Sequence, residues 1–144
     1  MLNNDDIGLS ALMIEGVLLQ LLVEASRKSS EVGLALPPRW FKRVCEILHA
    51  RFTEPLTLNL LASAVDLHPV YLASAFRRYG GCGVGEYLRR LRVEEACRRL
   101  AATSEPLAEI ALSAGFSDQS HLTRHFKNQL SMTPAAYRKI VHQP

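Results

Sequence analysis

Residues 105–138 read EPLAEIALSAGFSDQSHLTRHFKNQLSMTPAAYR and contain the pattern that decides the fold. Leu107 and Ala111 share one face of a short predicted helix, because side chains four residues apart lie above one another on an α-helix. Gly115 follows, and a glycine adopts the positive φ of a tight reversal without steric cost. The pattern predicts two helices joined by a sharp turn, with Phe116 filling the corner between them.

The second of these helices is predicted to begin after Ser117 or Asp118, either of which can cap it. Leu122 and Phe126 lie four residues apart and predict its buried side. The other side carries hydrogen-bonding side chains of sizes that reach base edges in the major groove of DNA. The candidates for reading bases are Gln119, Ser120, His121, Thr123 and Arg124.

The same stretch resembles the second helix-turn-helix of the AraC/XylS family of bacterial transcription regulators. The family pattern is roughly I-A-x-x-x-G-F, then x-F-K, then P-x-x-Y-R. The matching positions are Ile110, Ala111, Gly115, Phe116, Phe126, Lys127, Pro134, Tyr137 and Arg138. Because so many positions match in register, the signal is specific at the level of the family.

The resemblance covers about residues 39–141 and implies an all-α fold within a DNA-binding domain of residues 37–144. Two homeodomain-like helix-turn-helix lobes, at about 39–83 and 104–141, would be joined by a long linker helix at about 84–103. The resemblance also implies a sequence-specific transcription regulator that binds double-stranded DNA and needs no cofactor, rather than an enzyme. Contact with RNA polymerase and a cytoplasmic location are further expectations.

An earlier segment, residues 54–88, repeats the pattern and predicts the other lobe. Several of its positions correspond to positions 49 or 50 residues later in the chain, and four of them hold the identical residue. The corresponding positions are Ala62, Asp66, Leu67, Leu72, Phe76, Arg77 and Tyr87. Asp66 stands where the second lobe has Gly115, and aspartate tolerates the left-handed backbone region better than most residues. The repeat indicates that one structural module occurs twice.

The predicted recognition helix of the first lobe has four outward positions, and two of them hold only alanine and serine. The four positions are Val70, Tyr71, Ala73 and Ser74. Alanine can only contact a thymine methyl group and serine accepts several pairings, so we expect shape fit and phosphate contacts more than base selection. The predicted phosphate contacts of the two lobes are Thr57, Arg77, Arg78, Lys127 and Arg138. Thr57 is also predicted to cap the first helix of its lobe.

The predicted linker helix would be about 30 Å long at about 1.5 Å per residue. Recognition helices that meet one face of a duplex lie roughly 34 Å apart, so one chain could read two successive major-groove segments. The arginines of this helix have two interpretations, phosphate contacts or an exposed face of salt bridges with nearby glutamates. These arginines are Arg89, Arg90, Arg92, Arg98 and Arg99.

Residues 1–36 form a separate N-terminal part in which residues 9–26 predict an apolar helix. Glu15, Gln20 and Glu24 interrupt it, which makes it a poor membrane span. It resembles the last helix of a family sensor domain without the rest of that domain. Either it forms a homodimer contact or it docks on the lobes. In an alternative function, the chain is an interaction module that pairs with full-length regulators and modulates them.

Charge is distributed unevenly around a formal net value of +3. Residues 1–36 carry two basic and five acidic side chains, whereas residues 37–144 carry 15 basic and nine acidic ones. The basic part holds the motifs, as a phosphate-binding surface requires. Cys45, Cys82 and Cys97 have no C-x-x-C spacing, so they predict reduced thiols rather than a disulfide framework or a zinc site.

Two further groups contain the residue types of a metal site or a hydrolytic site, but their arrangement in the sequence supports neither. His121 and His125 have the i, i+4 spacing of a metal-binding pair, yet no acidic or cysteine ligand lies nearby in the sequence. Asp118, Ser120 and His121 have the residue types of a hydrolytic triad but are crowded onto the start of one helix, where they cannot converge. We therefore predict neither a metal site nor a catalytic site.

Overall fold

The structure is a computed structural model that describes residues 36–143. Those residues form seven α-helices and no strand. In chain order the helices are α1 (Arg39–Arg51), α2 (Leu58–Ala64), α3 (Pro69–Gly80), α4 (Val84–Ala102), α5 (Leu107–Ser113), α6 (Gln119–Leu130) and α7 (Pro134–Val141). The predicted all-α fold is confirmed for this range, and the apolar helix predicted at residues 9–26 lies outside it. None of the described helices is both long and apolar enough to cross a bilayer.

Local capping signals position the first helix-turn-helix, α2 and α3. The Thr57 hydroxyl accepts the backbone N–H of Leu60 at 3.2 Å and so caps α2, as predicted. Asp66 adopts a φ of 53°, which confirms the left-handed turn expected at this position. Pro69 begins α3, where its missing N–H costs nothing.

The second helix-turn-helix, α5 and α6, uses the same local signals. Gly115 has a φ of 93° in the turn. Asp118 caps α6 by accepting the backbone N–H of His121 at 2.7 Å. The Thr133 hydroxyl caps α7 by accepting the backbone N–H of Ala136 at 3.1 Å. The predicted start of α6 is therefore confirmed.

Each lobe has its own hydrophobic core, and α4 contributes to both. The first-lobe core consists of Val44, Ile47, Leu48, Leu61, Ala62, Leu72, Phe76 and Leu88. The second-lobe core consists of Val93, Ala96, Leu100, Ile110, Ala111, Ala114, Phe116, Leu122 and Phe126. Leu88 and Val93 are five residues apart, about 140° around the helix, so α4 buries a different side in each lobe. The linker helix is continuous, as predicted, and is also a structural part of both lobes.

Phe76 and Phe126 occupy corresponding central positions and are fully buried. Tyr87 packs edge-on against Phe76, with the ring centroids 5.7 Å apart and the planes at 84°. Tyr137 packs against Phe126 in the same way, at 5.6 Å and 72°. Because these aromatic pairs recur 50 residues apart, the predicted internal repeat is confirmed by the packing of both cores.

The first helix, α1, supports the recognition helix of its lobe. Val44 and Leu48 of α1 are fully buried in the first-lobe core. Trp40 packs edge-on against Tyr71 and Tyr79 of α3, with centroid distances of 6.3 and 6.0 Å. These contacts pack the start of α1 against α3.

Candidate nucleic-acid interface

The second recognition helix, α6, presents one continuous polar face. Leu122 and Phe126 are fully buried and anchor the inner side of the helix. The outer side is a shallow surface formed by Gln119, Ser120, Thr123, Arg124, Lys127 and Asn128, which we call the α6 reading face. All of these are exposed except Thr123, which is half-buried. Asn128 was not predicted, although its position four residues after Arg124 would have indicated it.

His121 is half-buried and lies outside the α6 reading face, and its contact with bases stays a prediction. The backbone N–H of Ser117 donates to His121 Nδ1 at 3.3 Å, and the Ser117 hydroxyl lies 3.0 Å from the same nitrogen. The imidazole packs edge-on against Phe116 at a centroid distance of 5.2 Å. The ring therefore folds back over the turn between α5 and α6, because a hydrogen bond and an aromatic contact are available there.

His125 lies beside His121 in an aromatic cluster with Phe116. Its ring is stacked on Phe116 at 6.0 Å and lies 4.8 Å from the His121 ring. Partial burial is the main cause that lowers the pKa of His125, and the nearby charges of His121, Arg89 and Arg124 lower it further. Within residues 36–143 no group of three or more metal-ligating side chains is close enough to share an ion.

Asp118 has a structural function at the start of α6. Its carboxylate accepts the His121 N–H, and this hydrogen bond is the main cause that lowers the pKa of Asp118. The carboxylate stays ionised and adds negative charge at the helix N-terminus, which the helix dipole favours. Asp118 therefore orients the backbone of α6 and does not orient the His121 imidazole as a triad acid would.

The outer face of α3 is apolar at its start and basic at its end. Val70 is 71% exposed and Tyr71 is 56% exposed, although the Tyr71 ring also contacts Trp40. Ser74 is exposed, whereas Ala73 is half-buried, so the predicted outward position of Ala73 is only partly attained. The structure thus places two large apolar side chains at the start of the first recognition helix.

The candidate phosphate contacts divide into free and occupied side chains. Arg77 and Arg78 in α3 and Lys127 in α6 are exposed. The Thr57 hydroxyl is exposed but already serves as the cap of α2. The Arg138 guanidinium donates to the carbonyl oxygen of Glu105, and its Nε is buried. Arg138 therefore ties α7 to the loop before α5, and its phosphate contact stays a prediction.

Most linker arginines belong to ion pairs. Arg90 bonds to Glu86 at 2.7 Å on the exposed side of α4. Arg98 and Arg99 both pair with the buried carboxylate of Glu95. The salt-bridge interpretation is correct for these three residues. Arg92 follows neither interpretation, because its guanidinium binds backbone carbonyls of the first lobe.

Residues 61–140 match a family model described as a helix-turn-helix domain. The chain is 34% identical over 95 residues to the uncharacterized HTH-type transcriptional regulator YobQ of Bacillus subtilis. That alignment covers 66% of this chain and 39% of YobQ. The chain spans less than half the length of the first three curated relatives it matches.

Solved structures show the same architecture. The C-terminal domain of AraT, a response regulator from Geobacillus stearothermophilus, matches with a TM-score of 0.70 and 26% identity, over 74% of this chain and 88% of that one. The DNA-binding domain of AdpA, a global transcriptional factor solved in complex with a target DNA, matches with a TM-score of 0.66 and 27% identity. That match covers 69% of this chain and 90% of the AdpA chain. The chain therefore belongs to the AraC/XylS family and contains its DNA-binding domain of two helix-turn-helix motifs.

Proposed function

We propose that this protein is a sequence-specific transcription regulator that inserts α3 and α6 into successive major-groove segments of one duplex. The observation that carries the proposal is the α6 reading face. Its polar side chains are exposed together on one side of a helix whose other side is anchored by Leu122 and Phe126. A helix anchored in this way can place side chains against base edges with little loss of order on binding.

Within the α6 reading face, Arg124 is the strongest candidate for base selection. Its guanidinium can donate two parallel hydrogen bonds to guanine O6 and N7, the commonest specific contact in the major groove. Gln119 and Thr123 lie on the same face and can hydrogen-bond to neighbouring bases. Lys127, one turn further along the helix, is suited to a phosphate because an ammonium group acts as a compact point charge.

The first lobe contributes differently to the proposed complex. Val70 and the ring of Tyr71 are exposed and can contact thymine methyl groups, and the Tyr71 hydroxyl is the one hydrogen-bonding group of this pair. Arg77 and Arg78, both exposed at the end of α3, can neutralise backbone phosphates. We infer that α3 fixes the position of the protein on the duplex, while α6 selects the sequence.

The length of α4 supports reading by a single chain. Its 19 residues correspond to about 28 Å at about 1.5 Å per residue. This is close to the roughly 34 Å that separates successive major-groove segments on one face of B-DNA. We infer that this helix-turn-helix domain acts by binding DNA rather than by catalysis.

Selection of bound duplexes from a random pool tests the proposal directly. We expect an enriched motif with two conserved segments about one duplex turn apart. The same selection with Arg124→Ala should relax the preference at one position of one segment and leave the rest unchanged. Failure to enrich any motif, with the folded wild-type protein, would overturn the proposed function.

Two partner contacts stay predictions, a homodimer through residues 9–26 and a contact with RNA polymerase. Removing residues 1–36 and repeating size exclusion and gel-shift measurements tests the first. Loss of the dimer with retained DNA binding supports a dimerisation helix. Strong pairing with full-length regulators in the absence of a gel shift would instead support the alternative of an interaction module.

A further inference from the structure

Three parts of the chain meet between the two lobes. They are residues 52–54 just after α1, Arg92 in the middle of α4, and Gly115 in the turn of the second helix-turn-helix. We call this meeting point the inter-lobe junction. It joins residues that are far apart in sequence, and it adds a non-covalent contact to the covalent connection that α4 makes between the lobes.

Gly115 is needed at the inter-lobe junction for two reasons. Its φ of 93° strains any other residue. In addition, a Cβ at this position would lie 2.8 Å from Arg92 Nε, 2.9 Å from Thr53 Cα and 3.1 Å from the Phe52 carbonyl oxygen. Backbone of the first lobe therefore approaches the second-lobe turn too closely for a side chain. Asp66, which corresponds to Gly115 in the first lobe, is exposed and keeps its side chain.

Arg92 holds the first-lobe part of the junction in place. Its Nε donates to the Phe52 carbonyl oxygen at 2.7 Å, and its Nη2 donates to the Glu54 carbonyl oxygen at 2.8 Å. Phe52 caps the C-terminus of α1, where the helix dipole favours a positive charge. The guanidinium thus grips two carbonyls with the fixed fork that arginine alone provides.

The segment that Arg92 grips is itself stiffened. Arg51 bonds to Glu54 through two nitrogens, at 2.9 and 2.6 Å, and the Glu54 N–H donates to the Arg51 carbonyl at 3.0 Å. The junction thus combines the Arg51–Glu54 turn of the first lobe, the Arg92 guanidinium of α4 and the closely packed Gly115 of the second lobe. Bending of the domain about α4 would disturb these contacts, so they oppose it.

We propose that Arg92 is a positioning residue that sets the angle between the two lobes, and thereby the spacing of DNA segments that the protein accepts. The inference rests on the proposed function, in which α3 and α6 read one duplex together. Two linked binding elements gain affinity only when their geometry lets both engage at once. A clamp on that geometry therefore acts on spacing selectivity without contacting DNA.

The test compares Arg92→Met with Arg90→Met. Each substitution removes one positive charge from α4, but Arg90 is exposed and bonds to Glu86, whereas Arg92 clamps the junction. Binding of the full chain is measured on the selected duplex, on versions with one base pair inserted or deleted between the segments, and on a duplex that keeps only the α6 segment.

We expect Arg92→Met to weaken binding to the selected duplex about tenfold, to reduce the penalty for a changed spacing and to leave binding to the single segment unchanged. Arg90→Met should keep the wild-type spacing penalty. A wild-type spacing penalty in Arg92→Met, or an equal loss on every duplex, would overturn the inference. Wild-type protein that ignores spacing altogether would instead refute the proposed two-segment reading.

Arg92→Lys separates the clamp from a charge effect and provides a second variant should Arg92→Met fold poorly. Lysine keeps the positive charge but lacks the fork that reaches two carbonyls at once. We expect its spacing penalty to fall between those of wild type and Arg92→Met. A fully wild-type penalty in this variant would show that charge alone matters and would overturn the clamp.

Discussion

The recognition helices α3 and α6 have corresponding positions 50 residues apart and the same buried side, but they expose different chemistry. Leu72 and Phe76 in α3 match Leu122 and Phe126 in α6, and all four are fully buried. On the outer side, Ser74 in α3 corresponds to Arg124 in α6.

Other outer positions differ in the same direction. Val70 and Ala73 in α3 correspond to Ser120 and Thr123 in α6, so apolar groups are replaced by hydroxyls. Arg77 corresponds to Lys127, and this position is basic in both lobes. The packing and the basic position are therefore shared by the two lobes, and we propose that the capacity to select bases is concentrated in the second. Four experiments test this difference between the lobes.

The largest effect is expected from the two central phenylalanines. Phe126→Ala and Phe76→Ala should each lower the free energy of unfolding by about 3–5 kcal/mol, because each leaves a cavity beside a packed tyrosine. Urea denaturation of the two variants measures this. Similar losses of unfolding free energy would support equivalent cores in the two lobes. If one variant lost less than half as much as the other, the two cores would not be energetically equivalent.

The next effect concerns base selection. Arg124→Ala should weaken binding to the selected duplex by about 1–3 kcal/mol and relax the preference at one base pair. The matched change in the first lobe, Ser74→Ala, should leave both affinity and preference nearly unchanged. Fluorescence anisotropy on the selected duplex and its single-base variants measures both. A larger specificity change from Ser74→Ala than from Arg124→Ala would reverse the proposed division of labour.

A smaller effect is expected at the position that is basic in both lobes. Lys127→Ala and Arg77→Ala should weaken binding to all sequences alike and reduce the slope of log K against log salt by about 1 each. Titrations at several salt concentrations on specific and random duplexes measure this slope. A loss confined to the specific duplex would contradict the phosphate role.

The smallest effect concerns the cap of α6. The Asp118 pKa is lowered from its ordinary value of 3.8, so its stabilising effect is present above that pH and is lost as the pH falls through the lower folded-state pKa. Asparagine also caps helices but does not titrate. Asp118→Asn should therefore be less stable than wild type near pH 7, and the difference in stability should shrink as the pH falls. Thermal unfolding between about pH 7 and about pH 2 measures this difference. A stability gap that stays constant across this range would exclude the carboxylate charge as its cause.

Much of the fold could be predicted because its signals are local. The caps at Thr57, Asp118 and Thr133 bond to backbone groups three residues away, so short sequence patterns reveal them. The turns at Asp66 and Gly115 follow from the few residue types that tolerate positive φ. The buried faces follow from helical spacing.

Two of the predicted site residues have partners within the protein that the sequence did not indicate. Helical spacing determines which way a side chain leaves its helix but not which partner it finds. His121 folds back onto Ser117 and Phe116, and Arg138 bonds to a carbonyl 33 residues earlier in the chain. A polar side chain takes the orientation that satisfies its hydrogen bonds, and those partners depend on the folded arrangement.

The two helix-turn-helix lobes, their duplication and the polar face of α6 follow from the amino-acid sequence, because periodicity and capping act over a few residues. The contribution of α4 to both cores, and the bonds of Arg92 to carbonyls 38 and 40 residues away, depend on the folded arrangement. The geometry that relates the two lobes depends on contacts between segments that are distant in the sequence, and no local sequence pattern predicts such contacts.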